Sequence, residues 1–136
     1  MLRVAIVGCG KIADAHASQI KRLDGCEIVG VYDREELMAR QLAERFPIKQ
    51  YFSDLDELLQ EGRPDVVHIT TPPQSHFDLA RKFLKQGCHV YVEKPFTLTG
   101  KEAEILIELA TSNDRKVTVG HDLQYSHVVR RMRQMV

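Results

Sequence analysis

A chain of 136 residues, 43% hydrophobic and 28% charged, fits one domain of ordinary size with a real core and excludes a disordered or fibrous polymer. Its 19 Lys and Arg balance 19 Asp and Glu, so no overall field draws it to nucleic acid or to an acidic membrane surface. Apolar runs such as Val4 to Val7 are far too short to cross a bilayer, and the N-terminus enters a strand pattern at once, with no room for a signal peptide. Cys9, Cys26 and Cys88 include no CxxC pair, and no His stands at metal-ligand spacing. A reduced, cytoplasmic protein without a bound metal is therefore expected.

Leu2 to Val7 is short, mostly apolar and β-branched, as in a strand covered on both faces. Helical spacing runs from Lys11 to Leu23, and Asp24-Gly25 stops it. A second strand is expected from Glu27 to Tyr32, then a charged amphipathic helix from Glu35 to Phe46, ended by Pro47. Ile48 to Phe52 reads as a short third strand. Ser53-Asp54-Leu55-Asp56 resembles a capping box opening a brief helix that closes at Gly62.

The second half repeats the pattern. Val66 to Thr70 is an apolar strand cut off by Pro72-Pro73; Ser75-His76-Phe77-Asp78 looks like a helix start, with Gly87 as the C-terminal cap. His89 to Val92 is a fifth strand. Thr99-Gly100-Lys101-Glu102 is another capping-box candidate, for a helix to about Ser112, and Lys116 to Gly120 is a sixth strand. Val128, Val129, Met132, Met135 and Val136 keep helical spacing at the end. The alternation predicts an α/β fold: a three-layer, doubly wound parallel sheet with helices on both faces, over residues 1–120, with 121–136 beginning a connection. In such sheets ligands bind beyond the carboxyl ends of the strands, where strand order reverses. The residues just after each strand are therefore the candidate site.

Gly8-Cys9-Gly10-Lys11-Ile12-Ala13 follows the first strand and opens a helix. Gly8 permits a tight turn, Gly10 lets the backbone approach a pyrophosphate, and Ala13 is small enough for the helix to press on the strand. The N–H groups of Lys11 and Ile12 at the helix start are offered to phosphate. The spare reading is a tight turn with no ligand. Asp33 follows the second strand, where a carboxylate can accept from both adenosine ribose hydroxyls; alternatively it caps the next helix. Arg34 beside it either pairs with a 2′-phosphate or is a solvated charge, so NAD is expected and NADP remains open. After the fourth strand, Thr71-Pro72-Pro73 lies near the switch point, and His76 faces either the site or solvent. Glu93-Lys94-Pro95 ends the fifth strand with two charges, which form a Glu–Lys ion pair or serve chemistry. A lysine held beside a nicotinamide would hydrogen-bond the reacting oxygen and exchange a proton. Pro95 restricts Lys94 to extended backbone and invites a cis peptide bond.

Gly8, Gly10 and Ala13, Asp33, Thr71-Pro72-Pro73 with His76, and Glu93-Lys94-Pro95 together resemble the Gfo/Idh/MocA oxidoreductase family, in the family's order and within the first 95 residues. The resemblance implies a Rossmann domain binding NAD(P); with the strand-end reading, the candidate cofactor contacts are Gly8, Gly10, Lys11, Ile12, Asp33, Arg34, Thr71, Pro72, His76, Glu93 and Lys94. It makes Lys94 the catalytic lysine, and sugars, polyols or nucleotide sugars the substrates. It also implies a second α+β domain, which a chain ending at Val136 in mid-helix is expected to lack. Gly120 to Tyr125 stands where members carry an Asn and an Arg-rich stretch, which leaves His121 and Asp122 without a matched role. A non-catalytic NAD(H)-binding module working with a partner chain is the alternative function. The terminal apolar stripe either packs on the chain's own sheet or drives a homodimer; Arg130, Arg131 and Arg133 opposite it form a solvated face or meet substrate phosphate.

Overall fold

A computed structural model describes residues 1–121 and 126–135. Its first half runs β1 (Leu2–Val7), α1 (Lys11–Ile20), β2 (Cys26–Tyr32), α2 (Glu36–Arg45) and β3 (Tyr51–Phe52), followed by the short α3 (Leu55–Glu57), which continues into a π-helical turn at Leu58–Gly62. The second half runs β4 (Val66–Ile69), α4 (His76–Lys85), β5 (His89–Val92), α5 (Gly100–Ser112), β6 (Val117–Val119) and α6 (His127–Arg133). All pairings are parallel, in the order β3-β2-β1-β4-β5-β6.

The side-chain alternation of a strand divides the core in two. Val4, Ile6, Ile28 and Val31 are buried with Ala13, Ala17 and Ile20 of α1 and Ala39, Leu42 and Ala43 of α2. Ala5, Val7, Val67, Ile69, Val90 and Val92 point the other way, into a core with Ala80, Phe83 and Leu84 of α4 and Leu106 and Ala110 of α5. The expected three-layer, doubly wound sheet is the observed one, and its order reverses between β1 and β4.

The differences from expectation lie at element ends. The third strand contracts to Tyr51–Phe52. Helix α1 stops at Ile20, three residues before Leu23, in a turn in which the Lys21, Arg22 and Leu23 amides bond back to Ala17, Gln19 and Ile20. Asp54, not Ser53, caps the helix that follows: its Oδ1 accepts from the Asp56 and Glu57 amides at 2.7 and 3.0 Å, and those bonds lower its pKa. Ser75 caps nothing through its side chain. Its hydroxyl bonds Thr71 Oγ1 at 2.7 Å and the Pro72 carbonyl at 2.9 Å, closing a 3₁₀ turn (Pro73–Ser75) ahead of α4. The Thr99–Glu102 capping box forms with both reciprocal bonds at 3.2 Å.

Most of the terminal stripe is uncovered: Val128 and Met132 of α6 and Met135 beyond it are 67%, 60% and 77% exposed, while Val129 is half-buried. Val136 and residues 122–125 lie outside the described residues. Among those described, no helix is long and apolar enough to cross a membrane.

Candidate functional site

The carboxyl ends of β1, β2, β4 and β5 meet at the reversal of strand order. Gly8 leaves β1 at φ +98°, and its N–H donates to the Tyr32 carbonyl at 2.8 Å. A Cβ there would stand 2.7 Å from Thr71 N and from Thr71 Cγ2, so the turn is pressed onto the backbone that follows β4. Buried Thr70 reinforces the contact, its hydroxyl lying 3.1 and 2.6 Å from the Val7 and Gly8 carbonyls, to which it donates. Gly10 differs from Gly8. It is the N-cap of α1 at φ −74°, it provides no side-chain cap, and a Cβ on it would meet nothing within 4 Å. The first amides of α1, at Lys11 and Ile12, carry the positive end of the helix dipole beside this open Gly10 position. Ala13, fully buried, brings α1 onto the sheet as its size requires.

Asp33 performs two structural tasks at once. Oδ2 accepts from the Cys9 amide at 2.8 Å, tying β2 to the glycine loop, and Oδ1 accepts from the Glu35 amide at 3.0 Å. The carboxylate is half-buried and Arg34 beside it is exposed. Cys9 Sγ donates to the Tyr32 carbonyl at 3.2 Å, and burial, with Asp33 next to it, pushes the thiol up to about 12.

After β4, Thr71 is half-buried and Pro72 exposed. His76 does not face solvent. The ring is fully buried, with Nδ1 2.8 Å from the Pro95 carbonyl and Nε2 2.8 Å from the Thr71 carbonyl. It therefore ties the loop after β4 to the loop after β5. The hydropathy of the Thr-Pro-Pro segment gave no hint of this enclosure.

At the end of β5 the Glu–Lys ion pair weighed in the sequence is not formed. Glu93 Oε1 bonds His16 Nε2 at 2.9 Å, and only the backbone amide of Lys94 reaches Oε2, at 3.3 Å. The Lys94 side chain is exposed and makes no ion pair among the described residues, and its bond to Pro95 is cis. His16 also meets His68, Nδ1 to Nδ1 at 2.9 Å, and His68 stacks on Tyr91 at 4.8 Å. Sequence reasoning passed over His16 and His68. Two signals were available: a histidine interrupting the apolar run Val66-Val67-His68-Ile69, and His16 three residues from Ala13 on the inner face of α1.

An uncapped helix N-terminus opening on a glycine with room in front of it, with a strand-end carboxylate beside it, has the shape and polarity that a dinucleotide pyrophosphate and ribose require. The site defines a dinucleotide-binding domain of the Rossmann class. The Gfo/Idh/MocA family model, described as an oxidoreductase family with an NAD-binding Rossmann fold, matches residues 2–121, and the chain belongs to that family. It is 36% identical over 110 residues to D-glucoside 3-dehydrogenase of Escherichia coli strain K12, covering 80% of this chain and 31% of that protein. With scyllo-inositol 2-dehydrogenase (NADP(+)) of Bacillus subtilis strain 168 it shares 33% identity, over 83% of this chain and 34% of the relative. The crystal structure of GenD2 from gentamicin A biosynthesis, in complex with NAD, superposes with a TM-score of 0.94 at 28% identity, over 98% of this chain and 38% of that one. The chain thus spans well under half the length of these proteins.

Proposed function

We propose that the protein takes part in hydride transfer between a nicotinamide cofactor and a hydroxyl of a sugar, polyol or nucleotide sugar, with this chain holding the cofactor and supplying the proton-transfer group. The carrying observation is the shared edge. The open N-terminus of α1 after Gly8 and Gly10, the Asp33 carboxylate and the Lys94 ammonium follow the carboxyl ends of β1, β2 and β5 of one parallel sheet, with β4 between β1 and β5. In this reading the Lys11 and Ile12 amides bind the pyrophosphate, and Asp33 accepts from the adenosine ribose while it holds Cys9 N. Thr71 and Pro72 line the nicotinamide half, and buried His76 acts through the two carbonyls it joins. Bound nicotinamide supplies the hydride acceptor or donor. Lys94 Nζ bonds the reacting oxygen and takes or returns its proton.

Asp33 favours NAD, because a carboxylate at the ribose repels a 2′-phosphate; Arg34, exposed and adjacent, supports NADP instead. The relatives include a dehydrogenase named for NADP(+). Calorimetric titration with NAD, NADH, NADP and NADPH distinguishes these. Reduced nicotinamide appearing with a panel of sugars, polyols and nucleotide sugars, and lost in Lys94→Ala, supports the reading. Binding without turnover would instead make the chain a nucleotide-holding module, and no binding at millimolar nucleotide would overturn the reading.

A further inference from the structure

A file of polar side chains runs beside the candidate site, joining α1, β4 and β5. Glu93 Oε1 accepts from His16 Nε2 at 2.9 Å, and the two side chains are only 16% and 9% exposed. The far edge of the His16 ring meets His68 Nδ1 at 2.9 Å, and the ring stands edge-on to both His68 and Tyr91 at 5.2 Å. Burial, then the neighbouring His16, holds His68 down at about 4, so at neutral pH it is an uncharged ring. The stacked pair His68–Tyr91 gives His16 a rigid back wall.

The carboxylate of Glu93 is confined on its remaining sides. Oε2 accepts the Lys94 amide at 3.3 Å, and a Cβ on Gly120 would come within 2.8 Å of Oε1 and 2.9 Å of the Tyr91 hydroxyl. The ladder of β5 ends with Glu93 N bonded to the Ile69 carbonyl at 3.0 Å, and the next residue is Lys94. With its side chain exposed, what orients Lys94 is its backbone, which the Glu93 carboxylate holds at the Lys94 amide while His76 holds the next carbonyl, that of Pro95.

We propose that His16 is a positioning residue for Lys94: by holding Oε1 of Glu93 it turns Oε2 onto the Lys94 amide and fixes the backbone from which the lysine side chain departs. The inference rests on the reading that Lys94 transfers the substrate proton, and adds what aims it. It also gives α1 a double task. The N-terminus of that helix opens on the phosphate position, while His16 further along the same helix sets the lysine, so the two ends of a bound cofactor are registered by one rigid element.

The test is a pair of substitutions in the full chain. In His16→Gln the side-chain amide reaches the place of Nε2 and restores the bond to Glu93. In His16→Asn it reaches only the place of Nδ1, toward His68. Exchange of the Lys94 amide, followed by NMR, should accelerate about tenfold or more in His16→Asn and return to within about threefold of wild type in His16→Gln, with core amides of β1 and β4 unchanged in both. Gly120→Ala, which pushes the carboxylate from the opposite side with His16 intact, should accelerate the same amide. Where a substrate is turned over, kcat should fall about tenfold in His16→Asn with KM for NAD nearly constant, because aim is lost and binding is kept. Lys94 exchange within about twofold of wild type in His16→Asn, or no recovery in His16→Gln, would overturn the proposal. Full turnover in Lys94→Ala would instead remove the lysine's chemical role, and the exchange measurement would still decide whether His16 holds it.

Discussion

Gly8→Ala separates folding from binding when set beside Gly10→Ala. At Gly8 the new methyl meets two penalties. The backbone stands at φ +98°, and the methyl would lie 2.7 Å from Thr71 N and 2.9 Å from Thr70 C, atoms of a backbone fixed by the Thr70–Val7 bond. Positive φ costs an L-residue about 1–2 kcal/mol, and forced overpacking about 1–3 kcal/mol, so the sum is about 2–5 kcal/mol. Against a total of about 5–15 kcal/mol that is a large loss, equivalent to a fall in Tm of roughly 8–20 °C in a domain of this size. Gly10, at φ −74° with nothing within 4 Å, carries neither penalty. Its replacement by Ala should cost under about 1 kcal/mol, from the weaker N-cap, yet weaken NADH binding by about tenfold or more, because the methyl enters the phosphate approach. Urea unfolding without nucleotide, with the slope checked for constancy, gives the first quantity, and calorimetry gives the second. A loss below about 0.5 kcal/mol in Gly8→Ala, or unchanged NADH affinity in a folded Gly10→Ala, would refute the division of labour between the two glycines.

Asp33→Ala should weaken NAD by about 1–3 kcal/mol and also destabilise the apo chain, since the Cys9 amide loses its acceptor; calorimetry and urea unfolding showing neither would take Asp33 out of the site. His68 titrates at about 4 in the folded chain against an ordinary 6.5, so the unfolded chain binds more protons between those values. Stability is then complete above about 6.5 and is lost as pH falls toward 4, by roughly 3 kcal/mol, a slope that His68→Leu should flatten in denaturant titrations across that range. Alkylation by iodoacetamide at neutral pH should label Cys26 and spare Cys9 and Cys88, whose thiols are buried and pushed up to about 12 and about 11; mass-spectrometric labelling of Cys9 in the native chain would contradict the packing of the glycine loop.

The fold was legible because its strands obey one simple rule. Strands buried on both faces read as apolar runs, and all of them alternate with helices that carry an apolar face, so layers and parallel pairing follow from spacing. The element ends were less legible: Ser53 and Asp54 both have capping side chains, and only the backbone's path decides that Asp54 takes the amides. The glycine loop, Asp33 and Lys94 fell where the strand-end rule puts them. The partners of Glu93 and His76 did not, since His16 lies 77 positions from Glu93 and Pro95 lies 19 positions from His76. Neighbours in sequence suggested a Glu93–Lys94 pair. The pleat forbade it, sending Glu93 toward α1 while Lys94 left the sheet.

The reversal of strand order also sets how much of the chain must be in place for the site to be complete. Val4 pairs on one side with Ile28 and on the other with Val66, so β1 acquires its second neighbour only after a long stretch of chain has been made. The glycine loop and Asp33 belong to the first β-α-β unit and are assembled by local contacts. The Lys94 arm requires β4 and β5 to dock, a closure across a much longer loop. A nucleotide contacting both arms, as proposed, would favour the fully docked sheet, and at a hundredfold excess over its Kd would add about 2.7 kcal/mol to that state. Bound across both arms, the cofactor would be the clasp that closes the two halves of the sheet on each other.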